Sequence, residues 1–181
     1  VDASVICEPG NTGTDWRCHY SLDLYGLRCD EFVLTGPKIG ESFARFHVFP
    51  KDLMLGDRAY GHLKGFRYVL EREGHFLTRL KNKSFNLRDA AGNTCSLAAL
   101  VEPLQVGEPR DWVLFGQAKG QEDLPLRICA LRLSEEAAER SVRRAKEELS
   151  KKQRTLDPET LALHRCVILA TSLPSSTSNG Q

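Results

Sequence analysis

The sequence contains no CxxC pair, no HExxH run and no histidine at zinc-finger spacing from a cysteine, so no zinc site is expected. It also lacks any apolar run approaching the roughly 18 residues that a membrane-crossing helix requires. Net charge is nearly absent: 25 basic and 24 acidic residues leave +1. The whole molecule therefore has no pull toward nucleic acid or membrane, and any such pull must come from local clustering. No basic-then-apolar leader opens the chain, which starts at Val1 without a Met and is expected to be a piece of something longer. Six cysteines (Cys7, Cys18, Cys29, Cys95, Cys129 and Cys166) stand without a pairing motif. Reduced, mostly buried thiols are expected rather than a disulfide framework.

What is present is ordinary for a soluble globular chain: 41% hydrophobic and 27% charged residues in a length of 181. That length can bury a real core, and one domain with an elaboration is the natural architecture. "VDASVIC" is a short β-rich run followed by the turn-forming "EPGNTGTD". "WRCHYSLDLY" alternates, with Trp16, Cys18, Tyr20, Leu22 and Leu24 facing one way and Arg17, His19, Ser21 and Asp23 the other. This predicts a half-buried strand whose polar side faces solvent. "DEFVLTG" predicts a third strand, "GESFARFHV" a short helix, and "DLMLG" a strand covered on both faces. Leu63, Phe66, Val69 and Leu70 fall at helical spacing before Gly74, and "HFLTRL" predicts a fifth strand. Residues 1–81 thus read as three hairpin-joined strands, a crossover, then strand, helix, strand, which opens a mixed α/β sheet.

Residues 82–133 change texture. Four strand-like pieces, "SFNLRD", "CSLAALVEPL", "DWVLFGQAK" and "LPLRICALRL", are separated by Gly, Pro and Asn turn signals, which predicts an antiparallel β insertion. In residues 134–173, Ser134 can cap a helix with Glu135 and Glu136 in its first turn. Asp157-Pro158 opens another short helix, and "RCVILATSLP" predicts a final strand. Between Arg140 and Arg154 seven basic residues face only Glu147 and Glu148. The tail 174–181 is small and polar and is expected to be disordered. Trp16 and Trp112 are expected to pack in the core or between strands.

The stretch "LMLGDRAYG" sets a carboxylate, Asp57, where a buried strand ends. Such a side chain can project into the crevice at a sheet edge. If the first strand lies alongside "DLMLG", in parallel, Asp2 approaches Asp57. Two juxtaposed carboxylates then call for a cation, and Mg²⁺ with open positions for water and phosphate suits phosphoryl transfer. On pattern alone, Asp57 as a simple helix N-cap remains the competing reading.

"VDASVICEPGNTGTDWRCHYSLDLY", "GESFARF", "LMLGDRAYGHLKG" and "VILATSLP" resemble the catalytic region of DDE transposases from bacterial insertion sequences. The resemblance runs in order through nearly the whole chain. It implies a ribonuclease H-like core interrupted by a β-strand insertion, with Asp2 and Asp57 as catalytic, metal-holding acids. It also implies Mg²⁺, with Mn²⁺ as substitute, and DNA (transposon ends and target) as partner. A homodimer of the full-length protein in the bacterial cytoplasm, on the nucleoid when acting, follows from the same likeness. The third acid of that family is a Glu on a helix after the insertion, and the chain stops soon after "ATSLPSS". The core is therefore expected to be incomplete at its C-terminus, lacking the usual N-terminal DNA-binding region, and inactive by itself. In such a chain Arg17 and His19, which the polar side of their strand also explains, and Arg58 and Tyr60, which packing and capping of the following helix explain equally well, are candidate DNA contacts. So are the helix cations Arg140, Arg143, Arg144, Lys146, Lys151, Lys152 and Arg154. The competing functions are a remnant that only binds DNA and an unrelated soluble α/β binding domain.

Overall fold

The structure, a computed structural model, describes residues 1–10, 12–150, 155 and 157–175. The chain divides into two compact units, Val1–Thr78 and Arg79–Gln181. Its strands pair mostly antiparallel, with one parallel strand–helix–strand, in a mixed α/β fold. Residues 134–173, set apart by the sequence pattern, fold in the same unit as the β-rich region before them.

The first unit opens with β1 (Asp2–Ile6), β2 (Trp16–Asp23) and β3 (Arg28–Thr35), an antiparallel meander in the order β1-β2-β3. The solvent side of β2 departs from expectation. His19 is fully buried, whereas Trp16, Leu22 and Leu24 are about half exposed. The reason is the segment after β3, which passes over the side expected to be polar. Arg17 donates to the Pro37 carbonyl at 3.2 Å and to Glu41 at 3.1 Å. Trp16 is therefore not a core residue.

"GESFARFHV" forms only a single 3₁₀ turn, Phe43–Arg45, capped by the Ser42 hydroxyl, before Phe46 returns to extended backbone. Then β4 (Leu53–Gly56), α1 (Leu63–Leu70) and β5 (His75–Arg79) form a strand–helix–strand with β4 and β5 parallel. His62 caps α1, its Nδ1 accepting from the Gly65 N–H at 3.0 Å. At the other end the left-handed position falls on Glu73 (φ +57°), not on Gly74. Gly74 serves a different need, since a Cβ there would come within 2.6 Å of Val48. Phe43, Tyr60, Phe66 and Phe76, all essentially inaccessible, pack as one aromatic core, with Phe66 stacked on Phe76 at 4.0 Å.

The second unit orders its strands β10-β9-β8-β6-β7. These are β6 (Asn86–Arg88), β7 (Thr94–Cys95), β8 (Pro109–Gln117), β9 (Leu124–Arg132) and β10 (Cys166–Thr171), and every neighbouring pair is antiparallel. Along β9, Leu124, Leu126, Ile128 and Ala130 are buried in strict alternation, as a one-faced strand demands. Pro125 is tolerated because it lies before the stretch of β9 that pairs with β10.

"CSLAALVEPL" is not a strand. After β7 it turns into α2 (Leu97–Val101), because Ser96 caps it and Leu97 and Val101, four apart, are the buried pair. α3 (Glu135–Ser150) and α4 (Pro158–Leu163) form where expected, with Asp157 capping α4 through the Thr160 N–H at 2.9 Å. All six cysteines are free, but only Cys18 and Cys166 are buried, so mostly buried thiols were the wrong expectation. Cys7 and Cys29 sit on or beside β1 and β3, whose exposed positions outnumber their buried ones. The expected disorder of 174–181 falls largely outside the described residues.

A Cβ at Gly56 would lie 2.8 Å from Tyr60 Cβ, 2.9 Å from its Cγ and 3.1 Å from Phe43 Cζ. Neither ring has room to retreat from a buried core. Gly56→Ala is expected to lower unfolding free energy by about 1–3 kcal/mol, the usual cost of overpacking. Gly36→Ala, where nothing lies within 4 Å, should stay within about 0.5 kcal/mol. Denaturant midpoints of the two variants check this.

Candidate active site

Asp57 stands at the C-terminal end of β4 and is exposed. It does cap the next turn: Oδ1 accepts from the Ala59 N–H at 2.7 Å, at the head of the 3₁₀ turn Arg58–Tyr60. Its carbonyl accepts from Thr78 Oγ1 at 3.2 Å, which ties the strand end to β5. The cap engages Oδ1 of an exposed carboxylate, so capping by itself does not decide between the two readings of Asp57.

Asp2 is also exposed, at the start of β1. Its Oδ1 accepts from the Ala3 N–H at 2.8 Å, and its Oδ2 from the hydroxyl of its cross-strand partner Tyr20 at 3.2 Å. β1 is not the parallel ladder neighbour of β4 that the sequence reading expected; its ladder partner is β2. The link to β4 is one bond, from the Val1 nitrogen to the Leu55 carbonyl at 2.7 Å. That bond joins the residue before Asp2 to the residue two before Asp57.

Tyr60 ends the turn that Asp57 caps. Its ring is in the aromatic core, and its hydroxyl is buried with no hydrogen-bond partner among the described residues. Burial pushes its phenol well above the usual range, and the negative charges of Glu41, Asp2 and Asp57 push the same way against Arg45. Tyr60 is thus a neutral donor within electrostatic reach of both acids.

The remaining candidates divide by burial. His19 has no accessible surface to offer DNA. Its Nε2 shares a hydrogen bond with Thr35 Oγ1 at 2.9 Å, and its Nδ1 has no partner among the described residues. Tyr60 is likewise closed to direct DNA contact. Arg17 is committed to Glu41, and Arg58 is half-buried. In the second unit Arg140 pairs with Glu136, Arg143 lies 4.0 Å from Glu147, and Arg144 and Lys146 are exposed. Lys151, Lys152 and Arg154 lie outside the described residues.

Sequence reasoning passed over Glu41 and Arg45, which sit in "GESFARF" and border a surface depression of about 390 Å³ with Ser42, His62 and Lys64. Their signal was weak: the pattern there looked like an ordinary helix. The donor set of Asp2 and Asp57, two exposed carboxylates, is of the oxygen type that a hard divalent cation with its water shell takes. Among the described residues no group of three or more His, Cys, Asp or Glu side chains converges as a metal site.

The chain is 26% identical over 179 residues to two Escherichia coli proteins. One is the putative transposase InsL for insertion sequence element IS186A, of strain K12, and the other is the transposase for insertion sequence element IS421. The match covers 96% of this chain and 48% of each relative, so the chain spans about half the length of the curated relatives it matches. No family model matches the chain, and no solved structure does. The chain is thus similar to transposases of bacterial insertion sequences.

Burial holds His19 below the ordinary histidine value of 6.5, with Arg45 and Arg17 adding to the effect. The unfolded chain then binds the proton first as pH falls below about 6.5, so folding stability is complete above that value and declines beneath it. His19→Gln is expected to flatten this decline between pH 6.5 and 5. Urea midpoints measured across that window would show the same slope in both proteins if His19 were not its source.

Proposed function

We propose that this chain carries two catalytic acids, Asp2 and Asp57, of a DDE transposase with a ribonuclease H-like core, which cuts and joins DNA at transposon ends and target. The observation that carries the reading is the Val1–Leu55 bond. It brings the residue before Asp2 to the strand that Asp57 follows, in a chain similar over 96% of its length to insertion-sequence transposases. The order of elements supports it: an antiparallel three-strand meander, then a parallel strand–helix–strand, then a mainly antiparallel β region.

Asp2 and Asp57 offer the hard oxygens that Mg²⁺ or Mn²⁺ prefers. When bound, such a cation supplies charge stabilisation to the attacking and leaving oxygens of a phosphodiester. The Ala59 N–H and Tyr20 hydroxyl hold the two carboxylates in place. Binding two cations across the reacting phosphate needs a further anionic ligand. That ligand is a Glu outside residues 1–181, in a region corresponding to the part of the relatives that this chain does not cover. A homodimer and action on DNA in the bacterial cytoplasm belong to the same proposal. No helix among the described residues is long and apolar enough to cross a membrane.

Two measurements test this. The first is cleavage of DNA bearing the element's ends in Mg²⁺ or Mn²⁺, by residues 1–181 and by a chain extended to the relatives' length. Only the extended chain is expected to cut, and Asp2→Asn or Asp57→Asn should slow it at least about a hundredfold. Cleavage by residues 1–181 that depends on both acids would put the third ligand inside them.

The second measurement concerns α3. Replacing Arg143, Arg144 and Lys146 by Ala should weaken binding to unrelated DNA sequences about equally. The slope of log affinity against log salt should become shallower by about two to three. An unchanged slope would leave this face of α3 merely solvated.

A further inference from the structure

The depression beside the turn Phe43–Arg45 has walls that are held in place and a charge that is not compensated. Its volume is about 390 Å³, and Glu41, Ser42, Arg45, His62 and Lys64 border it. A water takes roughly 30 Å³ of liquid, so a phosphate group fits there with its hydration shell. His62 ties the two walls together. Its Nδ1 accepts from the Gly65 N–H at 3.0 Å, and its Nε2 donates to the Glu41 carbonyl at 3.1 Å. Arg45 stands between the buried Phe43 and Phe46, and its Nε donates to the Gly40 carbonyl at 2.8 Å. Lys64 is exposed on the first turn of α1, next to the buried Leu63. Glu41, the acid on the border, is already paired with Arg17 at 3.1 Å. Among the described residues neither Arg45 nor Lys64 has an acidic partner.

We infer that this depression is a phosphate-binding subsite, in which Arg45 and Lys64 share one phosphate of a DNA strand. The terminal nitrogens of Arg45 suit two phosphate oxygens as a fork, and the Lys64 ammonium adds a point charge. Ser42 Oγ accepts from the Ala44 N–H at 3.2 Å, which leaves its own proton to donate. His62 comes five residues after Asp57, a separation that even extended chain stretches to only about 18 Å. One strand of DNA advances roughly 3.4 Å per nucleotide, so a strand held here passes within a few nucleotides of that acid. DNA as the source of the phosphate rests on the proposed function; the anion site itself rests on the depression.

The experiment follows the anisotropy of a short labelled duplex of arbitrary sequence against KCl concentration. It compares the wild type with Arg45→Gln, Lys64→Gln, the double variant and Lys51→Gln. Lys51 is exposed at the end of β4 away from Asp57, so its variant removes equal charge outside the depression. Lys64 is exposed, so its variant stays informative if Arg45→Gln disturbs the turn. The double variant is expected to bind about tenfold more weakly at low salt, with the slope of log affinity against log salt shallower by about one, the value for one shared phosphate. Lys51→Gln should match the wild type. A loss in Lys51→Gln equal to that in Lys64→Gln would overturn the subsite in favour of diffuse charge. Equal affinity in wild type and double variant would overturn the DNA strand as occupant. A second arm, the ³¹P line width of inorganic phosphate, then identifies the alternative: broadening by the wild type that the double variant loses, with DNA affinity unchanged, assigns the depression to a small anion. No DNA binding by the wild type would overturn the DNA reading of the chain, and the DNA strand as occupant with it.

Discussion

The contact between Gly56 and Tyr60 is the constraint on which the geometry of the first unit turns. A strand that ends in glycine lets an aromatic side chain from the following turn fold back onto its backbone. With Cβ of Tyr60 only 2.8 Å from where a Gly56 Cβ would sit, no larger residue could precede Asp57 without moving one of them. The fold-back closes the 3₁₀ turn Arg58–Tyr60, and its closure brings the Ala59 N–H to Asp57 Oδ1. It also delivers Tyr60 to Phe43, and Phe43 to the Phe66–Phe76 stack. The exposed carboxylate is thereby anchored to the best-packed part of the unit through four residues of chain. Precision at a surface acid comes from a core contact beneath it.

Much of this was legible in the sequence, and the legible parts share a cause. The meander β1 to β3, the parallel β4–α1–β5 unit, β8, β9 and the capped helices α3 and α4 all carry signals that act over a few residues: alternation, 3.6-residue spacing, a capping Ser or Asp. Where a signal depended on distant chain, it misled. The polar side of β2 was read as solvent-facing because the period-2 pattern cannot show that residues 37–45 will cross over it and bury His19. "CSLAALVEPL" carried a Ser cap and two alanines, but the surrounding turn signals outweighed them. Its helix was decided by the burial of Leu97 and Val101.

The candidate site was legible to the same extent. Asp57 showed itself because a lone carboxylate after "LMLG" breaks an apolar run. Asp2 needed the resemblance, since nothing local distinguishes an acid at the edge of a short strand. Its approach to β4 runs through the single Val1–Leu55 bond and not through a strand ladder, and no periodicity reports such a contact. The burial of Tyr60 was left undecided for a related reason. In "GDRAYG" DNA contact and packing read equally well, and only the closeness of Gly56 shows that the ring turns inward.

The charge on α3 shows how a count of residues overstates an electrostatic feature, and also why the feature persists. Two of its four described cations in the basic run already have acidic neighbours one helical turn away, Arg140 with Glu136 and Arg143 with Glu147. Exposed pairs at this spacing contribute only about 0.3–0.5 kcal/mol each, so they hold the side chains without committing them. A phosphate approaching either arginine exchanges a weak, screened carboxylate for a stronger charge-assisted bond at almost no cost. Among the described residues Arg144 and Lys146 show no such ion pair. Within Glu135–Ser150 five acids stand against four bases, so the described helix is near neutral, in keeping with a chain of net charge +1.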